Sequence, residues 1–434
     1  MTVPLATFGV HRSIVDGELM MEGVALNAVA QRFGTPCFVY SRAALTAAFQ
    51  CLDNALKSAR KGRPYLICYA VKANSNLSVL CLFAELGAGF DIVSGGELMR
   101  VLEAGGDPRK VVFSGLGKTS AEMKLALEAN IKCFNVESEP ELERLNSVAT
   151  QLGTRARVSL RVNPDVDAKT HPYISTGLKN NKFGIAFDRA LAVYRRAAGL
   201  SNIDVVGVDC HIGSQLTDDA PLREAMGRIV ALADALAAEG FALHHICPGG
   251  GIGITYKDED TIDLDDYARA LEASLGTREV ELLLEPGRVL VGNAGVLLSR
   301  VEYVKLTDSR NFLVIDAAMN DLMRPALYQA HHEIVMTGAV HANRTERIYD
   351  VVGPVCESAD VLASARALRA SETDVVAILS AGAYGFVMSS NYNSRPRAAE
   401  VMVDGDVATL IGARENFDDL VRRERPQPVL ADIE

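Results

Sequence analysis

Four kinds of reactive group stand along this chain, each at the end of a short apolar run. Tyr69-Ala70-Val71-Lys72-Ala73-Asn74 carries an amine. Period-two alternation puts Lys72 on the same side as Cys68 and Ala70, facing the axis of a barrel if such strands close into one. A lysine at an apolar mouth loses hydration, which lowers its pKa and frees the neutral amine as a Schiff-base nucleophile. A lone lysine would more commonly snorkel to solvent. Asp91-Ile92-Val93-Ser94-Gly95-Gly96-Glu97 and Arg161-Val162-Asn163-Pro164 end two further runs, and His211-Ile212-Gly213-Ser214-Gln215 a third. By itself, a histidine such as His211 is more often a satisfied core residue. In Pro248-Gly249-Gly250-Gly251-Ile252-Gly253, successive glycines let backbone N–H groups approach an anion. The run departs from G-x-G-x-x-G, because Ile254 stands at the last glycine position. Glu285-Pro286-Gly287-Arg288 adds a carboxylate whose burial is costly unless it meets a cation or donors.

These groups need a scaffold that gathers strand ends. From Tyr65 to Leu284 eight apolar runs read as strands: Tyr65–Ala70, Gly89–Val93, Val111–Phe113, Ile131–Val136, Arg157–Val162, Val205–Cys210, His244–Cys247 and Glu281–Leu284. Between them, Ser120–Ala129, Glu139–Gln151 and Leu222–Glu239 repeat apolar residues at helical spacing. Short strands that are apolar throughout suit a parallel sheet buried on both faces, and eight alternating units predict an α/β fold, a (β/α)8 TIM barrel, whose chemistry collects at its strand ends. After Pro286 the texture changes. Gly295–Leu306, Asn311–Ile315, Arg347–Val352, Val375–Leu379 and Glu400–Val403 predict a mostly antiparallel β domain. The expected division is residues 1–35 packing with the C-terminal domain, 36–285 as barrel and 286–434 as β domain. The tail from Arg422, with Pro426 and Pro428, is expected to be loosely ordered.

Composition narrows the partners. The 434 residues carry Lys+Arg 44 against Asp+Glu 55, a net charge of −11, so nucleic acid phosphates would repel the chain. The basic knot Arg60-Lys61-Gly62-Arg63 reads as a solvated loop. The most apolar stretch, Glu281 to Leu298, is broken by Glu285, Arg288 and Asn293 and does not span a membrane. No signal-peptide layout opens the chain, and 8 scattered cysteines without a C-x-x-C pair suit a cytoplasmic protein with reduced thiols. No metal is expected.

An amine for an aldehyde, a glycine cradle for a phosphate, a carboxylate for a ring nitrogen and a flat histidine to cover the ring are together the demands of pyridoxal 5′-phosphate. On these motifs the chain resembles the barrel-type, alanine-racemase-like family of pyridoxal-phosphate enzymes, along nearly its whole length. Tyr69–Asn74, His211–Gln215, Gly249–Gly251 and Glu285–Arg288 are shared with ornithine and arginine decarboxylases. More specific are His171–Gly177, Met319-Asn320-Asp321-Leu322-Met323-Arg324-Pro325-Ala326-Leu327-Tyr328 and Gly353-Pro354-Val355-Cys356-Glu357-Ser358. They resemble the branch that decarboxylates meso-2,6-diaminopimelate to L-lysine and CO2, the last step of lysine biosynthesis. Ornithine decarboxylases carry aspartate where Glu357 stands, and His331 replaces a common tyrosine.

By this resemblance Lys72 forms the Schiff base with the cofactor, Glu285 pairs with the ring nitrogen and His211 stacks on the ring. Ser214, Gly249, Gly250, Gly251, Gly287, Arg288 and Tyr384 join the cofactor-binding set, with Asp91, Asn163 and Arg161 nearby. Substrate contacts fall to Arg288, Arg324, Tyr328, Glu357 and Tyr384. Cys356 is the proton donor, reaching with Glu357 into the second subunit's site in a homodimer. Two guanidinium forks suit a distal carboxylate and Glu357 a distal ammonium, a combination that an ornithine-type substrate would not use. A non-catalytic pyridoxal-phosphate protein is the other alternative, disfavoured by the β domain.

Overall fold

The computed structural model describes residues 4–13, 15–167, 181–339 and 344–424. The His171–Gly177 motif and the tail prolines Pro426 and Pro428 lie outside them. The chain divides into two compact units, residues 44–292 and residues 1–43 with 293–434.

In the first unit the two-sided apolar runs become eight parallel strands, Tyr65–Ala70, Gly89–Ile92, Val111–Phe113, Cys133–Val136, Ala156–Asn163, Ile203–Asp209, His245–Cys247 and Glu281–Leu284. Leu282 of the eighth lies opposite Tyr65 of the first, so the sheet closes into a barrel. Cys68, Val112, Cys133, Val206, Cys247 and Leu283 form an apolar cluster inside it. Alternation then brings Ala70, Ser114, Asn135, Gly249 and Glu285 to the same side two residues later, so the interior turns polar at the mouth. The sixth strand changes register between Val205 and Gly207, and this irregularity brings Asp209 into the buried series.

The loops leave the mouth under tight control. Asn76, Ser94, Thr119, Ser138 and Asp263 each accept a first-turn N–H of the helix that follows. Glutamates then latch neighbouring loops. Glu122 Oε1 accepts the Gly95 N–H at 2.8 Å, and Glu137 accepts the N–H groups of Gly115 and Gly184 at 3.0 Å each. Lys118, buried, donates to Glu141, Gly115 O and Asn135 O. At the other end of the barrel Arg60 is buried rather than solvated. It ends the helix Arg42–Arg60 and donates to Glu272 and to the Pro64 and Val280 carbonyls.

The second unit is built around the strand Gly295–Lys305. It pairs antiparallel with Phe312–Ile315, Val375–Ile378 and Cys37–Ser41. Ala399–Asp404 lies parallel to Cys37–Ser41 and hairpins to Val407–Gly412. Phe8, Leu19, Leu26 and Val29 share a core with Val296, Leu298, Ala377 and Val401. Two features depart from the expected division. Cys37–Ser41 pairs with this sheet, and the short helix Arg288–Val291 belongs to the barrel unit. Five buried residues in a row read the same in either sheet, and their partner lies more than 250 residues away in sequence.

Candidate active site

Lys72 stands in the 3-10 turn Val71–Ala73 that ends the first strand, and its Nζ lies 2.8 Å from Asp91 Oδ2. The expected apolar surroundings are thus replaced by an ion pair, because the second strand delivers a fully buried carboxylate to the same spot. Asp91 Oδ1 has no hydrogen-bond partner. The Ala70 N–H donates to Pro286 O at 2.9 Å, tying the Lys72 turn to the segment that holds Glu285.

Glu285 is 6 % exposed, and Asn135 Nδ2 donates to its Oε1 at 2.8 Å and to Ser114 Oγ at 3.1 Å. Its neighbours include a residue that sequence reasoning passed over. Asp209 is fully buried, neither of its oxygens receives a hydrogen bond, and ligating atoms of Asp209, Cys247 and Glu285 all lie within 4.8 Å of one another. Burial pushes the Glu285 carboxyl well above the usual range, with the charges of Asp209 and Asp91 adding to it and Lys72 and Arg161 opposing. Burial likewise pushes Asp209 up to about 7, against the pull of Arg161. The signal for Asp209 and Asn135 was present in the sequence: a polar side chain inside a run that is otherwise apolar on both faces.

His211 follows the sixth strand, and its Nδ1 is 3.2 Å from the Gly250 N–H. That contact makes Nδ1 an acceptor, so the neutral ring carries its proton on Nε2. Burial, then the charges of Arg161 and Lys72, hold its pKa well below the ordinary histidine range. The glycine run lies beside it. A Cβ on Gly249, Gly250 or Gly251 would overlap the carbonyl oxygens of Cys210, Glu285 and Gly213 respectively, and Gly249 and Gly251 have φ of 80° and 100°. Gln215 grips Ile254 with both ends of its amide, donating to the carbonyl at 2.6 Å and accepting from the N–H at 3.2 Å. Arg288, 5 % exposed, donates to Ser214 Oγ at 2.9 Å and to Tyr256 OH at 2.6 Å. Neither Tyr256 nor the Gln215 grip was legible in the sequence. Arg161 pairs with Glu137 at 2.9 Å and stacks on the Phe183 ring, and the Asn163 side chain accepts the Asp165 N–H.

Gly287 stands just before the short helix Arg288–Val291 of the barrel unit. The other expected residues belong to the second unit and occupy three segments. Arg324 and Tyr328 lie four apart on the helix Arg324–Tyr328, hence on one face, with Arg324 6 % exposed. Cys356 and Glu357 are exposed. Their loop is shaped from beneath by Asp360, which accepts the Met319 and Val355 N–H groups at 2.7 and 2.8 Å. Tyr392 donates to Glu357 at 3.0 Å and Asn393 accepts the Cys356 N–H at 2.9 Å. Tyr384 is half-buried with a left-handed φ of 55°, a strained conformation for an aromatic residue. His331 bridges Glu333 and Arg366, so the replacement of tyrosine leaves it in a hydrogen-bond network.

The barrel mouth fits pyridoxal phosphate by the chemistry of its lining: an amine for the aldehyde, buried carboxyls with oxygens to spare for a ring N–H, and a backbone cradle too tight for any Cβ. Fold and site define the class, a barrel enzyme dependent on pyridoxal. A family model described as pyridoxal-dependent decarboxylase, pyridoxal binding domain, matches residues 43–292. The chain is 57% identical over 413 residues to the diaminopimelate decarboxylase of Pseudomonas aeruginosa, covering 95% of this chain and 98% of that one. It is 56% identical over 414 residues to that of Vibrio cholerae, covering 95% and 98%. Among solved structures it is similar to diaminopimelate decarboxylase from Helicobacter pylori complexed with L-lysine, with TM-score 0.87, 43% identity and coverage of 92% and 98%. The M. jannaschii enzyme in co-complex with L-lysine gives TM-score 0.91 and 39% identity, covering 96% and 98%. The chain belongs to the diaminopimelate decarboxylase family.

Proposed function

We propose that this chain decarboxylates meso-2,6-diaminopimelate to L-lysine and carbon dioxide with pyridoxal 5′-phosphate, closing lysine biosynthesis. The observation that carries this reading is the buried Arg324 at the head of a helix with Tyr328, on a chain so close to its relatives. A monocarboxylate diamine such as ornithine would leave a distal guanidinium without its anion, a penalty of several kcal/mol.

The bound cofactor supplies an electron sink for the pair released as carbon dioxide departs. Lys72 would hold the cofactor covalently through Nζ, and Asp91 would keep that amine in place whenever it stands free of the cofactor. Glu285 holds a proton at the ring nitrogen, where an ion pair at ~4 Å and effective dielectric ~20 is worth about 4 kcal/mol. The neutral His211 ring would pack against the cofactor. Ser214, Gly249, Gly250, Gly251, Gly287, Arg288 and Tyr384 orient its phosphate end. Arg288, Arg324, Tyr328, Glu357 and Tyr384 bind the substrate, and Cys356 delivers the final proton. Cys356 and Glu357 are exposed on a firmly shaped loop, which supports a homodimer in which they complete the partner's site. Eight free cysteines support a reducing, cytoplasmic setting. No helix among the described residues is long and apolar enough to cross a membrane.

The test is carbon dioxide release by cofactor-loaded protein from meso-, LL- and DD-diaminopimelate, ornithine, arginine and lysine. Release from the meso isomer alone is expected. Release only from the monocarboxylate diamines would transfer the chain to the basic amino-acid decarboxylases.

A further inference from the structure

We infer that His332, neutral and with its proton on Nδ1, is the positioning residue that aims the Arg324 guanidinium at the substrate's distal carboxylate. The inference rests on the reading of Arg324 given above. His332 is fully buried, and its two ring nitrogens make two contacts of 2.8 Å. Nδ1 faces the Leu379 carbonyl, which can only accept, so Nδ1 bears the proton. Nε2 faces Arg324 Nη1, which can only donate, so Nε2 offers its lone pair. One tautomer satisfies both contacts. An imidazolium would keep the contact to Leu379 but lose the one to Arg324, since its second N–H would point at a guanidinium N–H.

The surroundings fix the ring on both sides. The Leu379 N–H donates to Glu333 O at 2.8 Å, where Ile334–Met336 pairs with Val375–Ile378, so the carbonyl that holds Nδ1 is itself anchored in the sheet. Arg366 donates to the His332 carbonyl at 3.2 Å and to His331 at 2.9 Å, which fixes the backbone at the same point. A neutral acceptor is the suitable partner for a guanidinium that must still bind an anion. It directs one N–H and leaves the positive charge intact, whereas a carboxylate in the same place would cancel the charge.

L-lysine and 1,5-diaminopentane separate this role from general stability, because they differ by the carboxylate that Arg324 is to bind. Both are titrated into cofactor-loaded enzyme, read by the cofactor's absorbance, alongside KM and kcat for meso-diaminopimelate. His332→Leu is expected to weaken L-lysine about 10- to 100-fold, the scale of a lost hydrogen bond to a charged group. 1,5-Diaminopentane should change by less than about twofold, with the loss on the substrate falling in KM. His332→Gln, whose amide oxygen reaches toward the Nε2 position, should recover most of the L-lysine affinity. His332→Asn, which reaches only toward Leu379, should not. That pair decides the matter where the leucine variant fails to fold. Arg324→Ala is the control. If it affects the two ligands equally, the reading of Arg324 falls. If it weakens L-lysine alone while His332→Asn binds L-lysine like the parent, the positioning role of His332 is overturned and Arg324 stands.

Discussion

The barrel mouth and the Gly353–Ser358 loop hold reactive side chains by opposite means. In the barrel, Lys72, Asp91, Asp209 and Glu285 stand at strand ends around one mouth, three of them carboxyls in the dry interior. Burial first, and then the neighbouring charges, set the proton affinities of Asp209 and Glu285. In the β unit, Cys356 and Glu357 sit in the open, and what is buried is the support, Asp360 and its two backbone N–H donors. The barrel tunes its groups, whereas the loop only presents them. Substitutions in the barrel should therefore change chemistry and titration, while those on the loop should be repairable from outside.

The strongest test of the tuned side is Lys72→Ala. It should abolish the visible band of the lysine-bound cofactor and reduce turnover by at least roughly 10³-fold. Retained activity would remove the lysine from the centre of the site. Glu285→Gln should keep the cofactor yet lose about 10²- to 10³-fold in kcat, the scale of a lost electrostatic stabiliser. An unchanged kcat would end the ring-nitrogen role.

Asp209→Asn probes tuning without touching the amine. An acid held near 7 in the fold and near 4 when unfolded keeps its contribution below about pH 4 and loses it as pH rises through 7. The asparagine variant titrates nothing there. The stability of cofactor-free variant minus parent, from denaturant melts, should thus grow between about pH 4 and 7, reaching about 2 kcal/mol or more, and then level off. A flat difference would show that Asp209 does not hold its proton.

The presented side gives the mildest effect. If the site is shared between subunits as proposed, Lys72→Ala protein mixed with Cys356→Ala protein should regain part of the parent's turnover once subunits exchange, because one hybrid site would carry both residues. Exchange without recovery would confine Cys356 to its own subunit's site.

The barrel was the most legible part of the sequence because strands buried on both faces must be apolar throughout. Tyr65–Ala70, Val111–Phe113 and Glu281–Leu284 appear with the expected ends. The β unit was less so. Ile334–Met336 has only three residues, and Val361–Leu368 mixes alanines, a serine and an arginine without clean alternation. In the site, Lys72 and Glu285 announced themselves by type at strand ends. Asp209 and Asn135 showed only as polar side chains inside apolar runs, and Tyr256 not at all, since what each one meets depends on which strand or loop stands opposite. That is a property of register, and of the irregularity at Val205–Gly207 in particular.

The glutamate latches between loops also bear on how such a barrel can be altered. Gly95, Gly115 and Gly184 each depend on a carboxylate from an adjoining loop or helix. A segment inserted or grafted after the second, third or fourth strand would therefore disturb its neighbour as well as itself. Exchange of these loops between relatives should succeed in blocks that keep Glu122 and Glu137 with their glycines, and single-loop grafts at this face should cost more than grafts of equal length at the opposite end of the barrel.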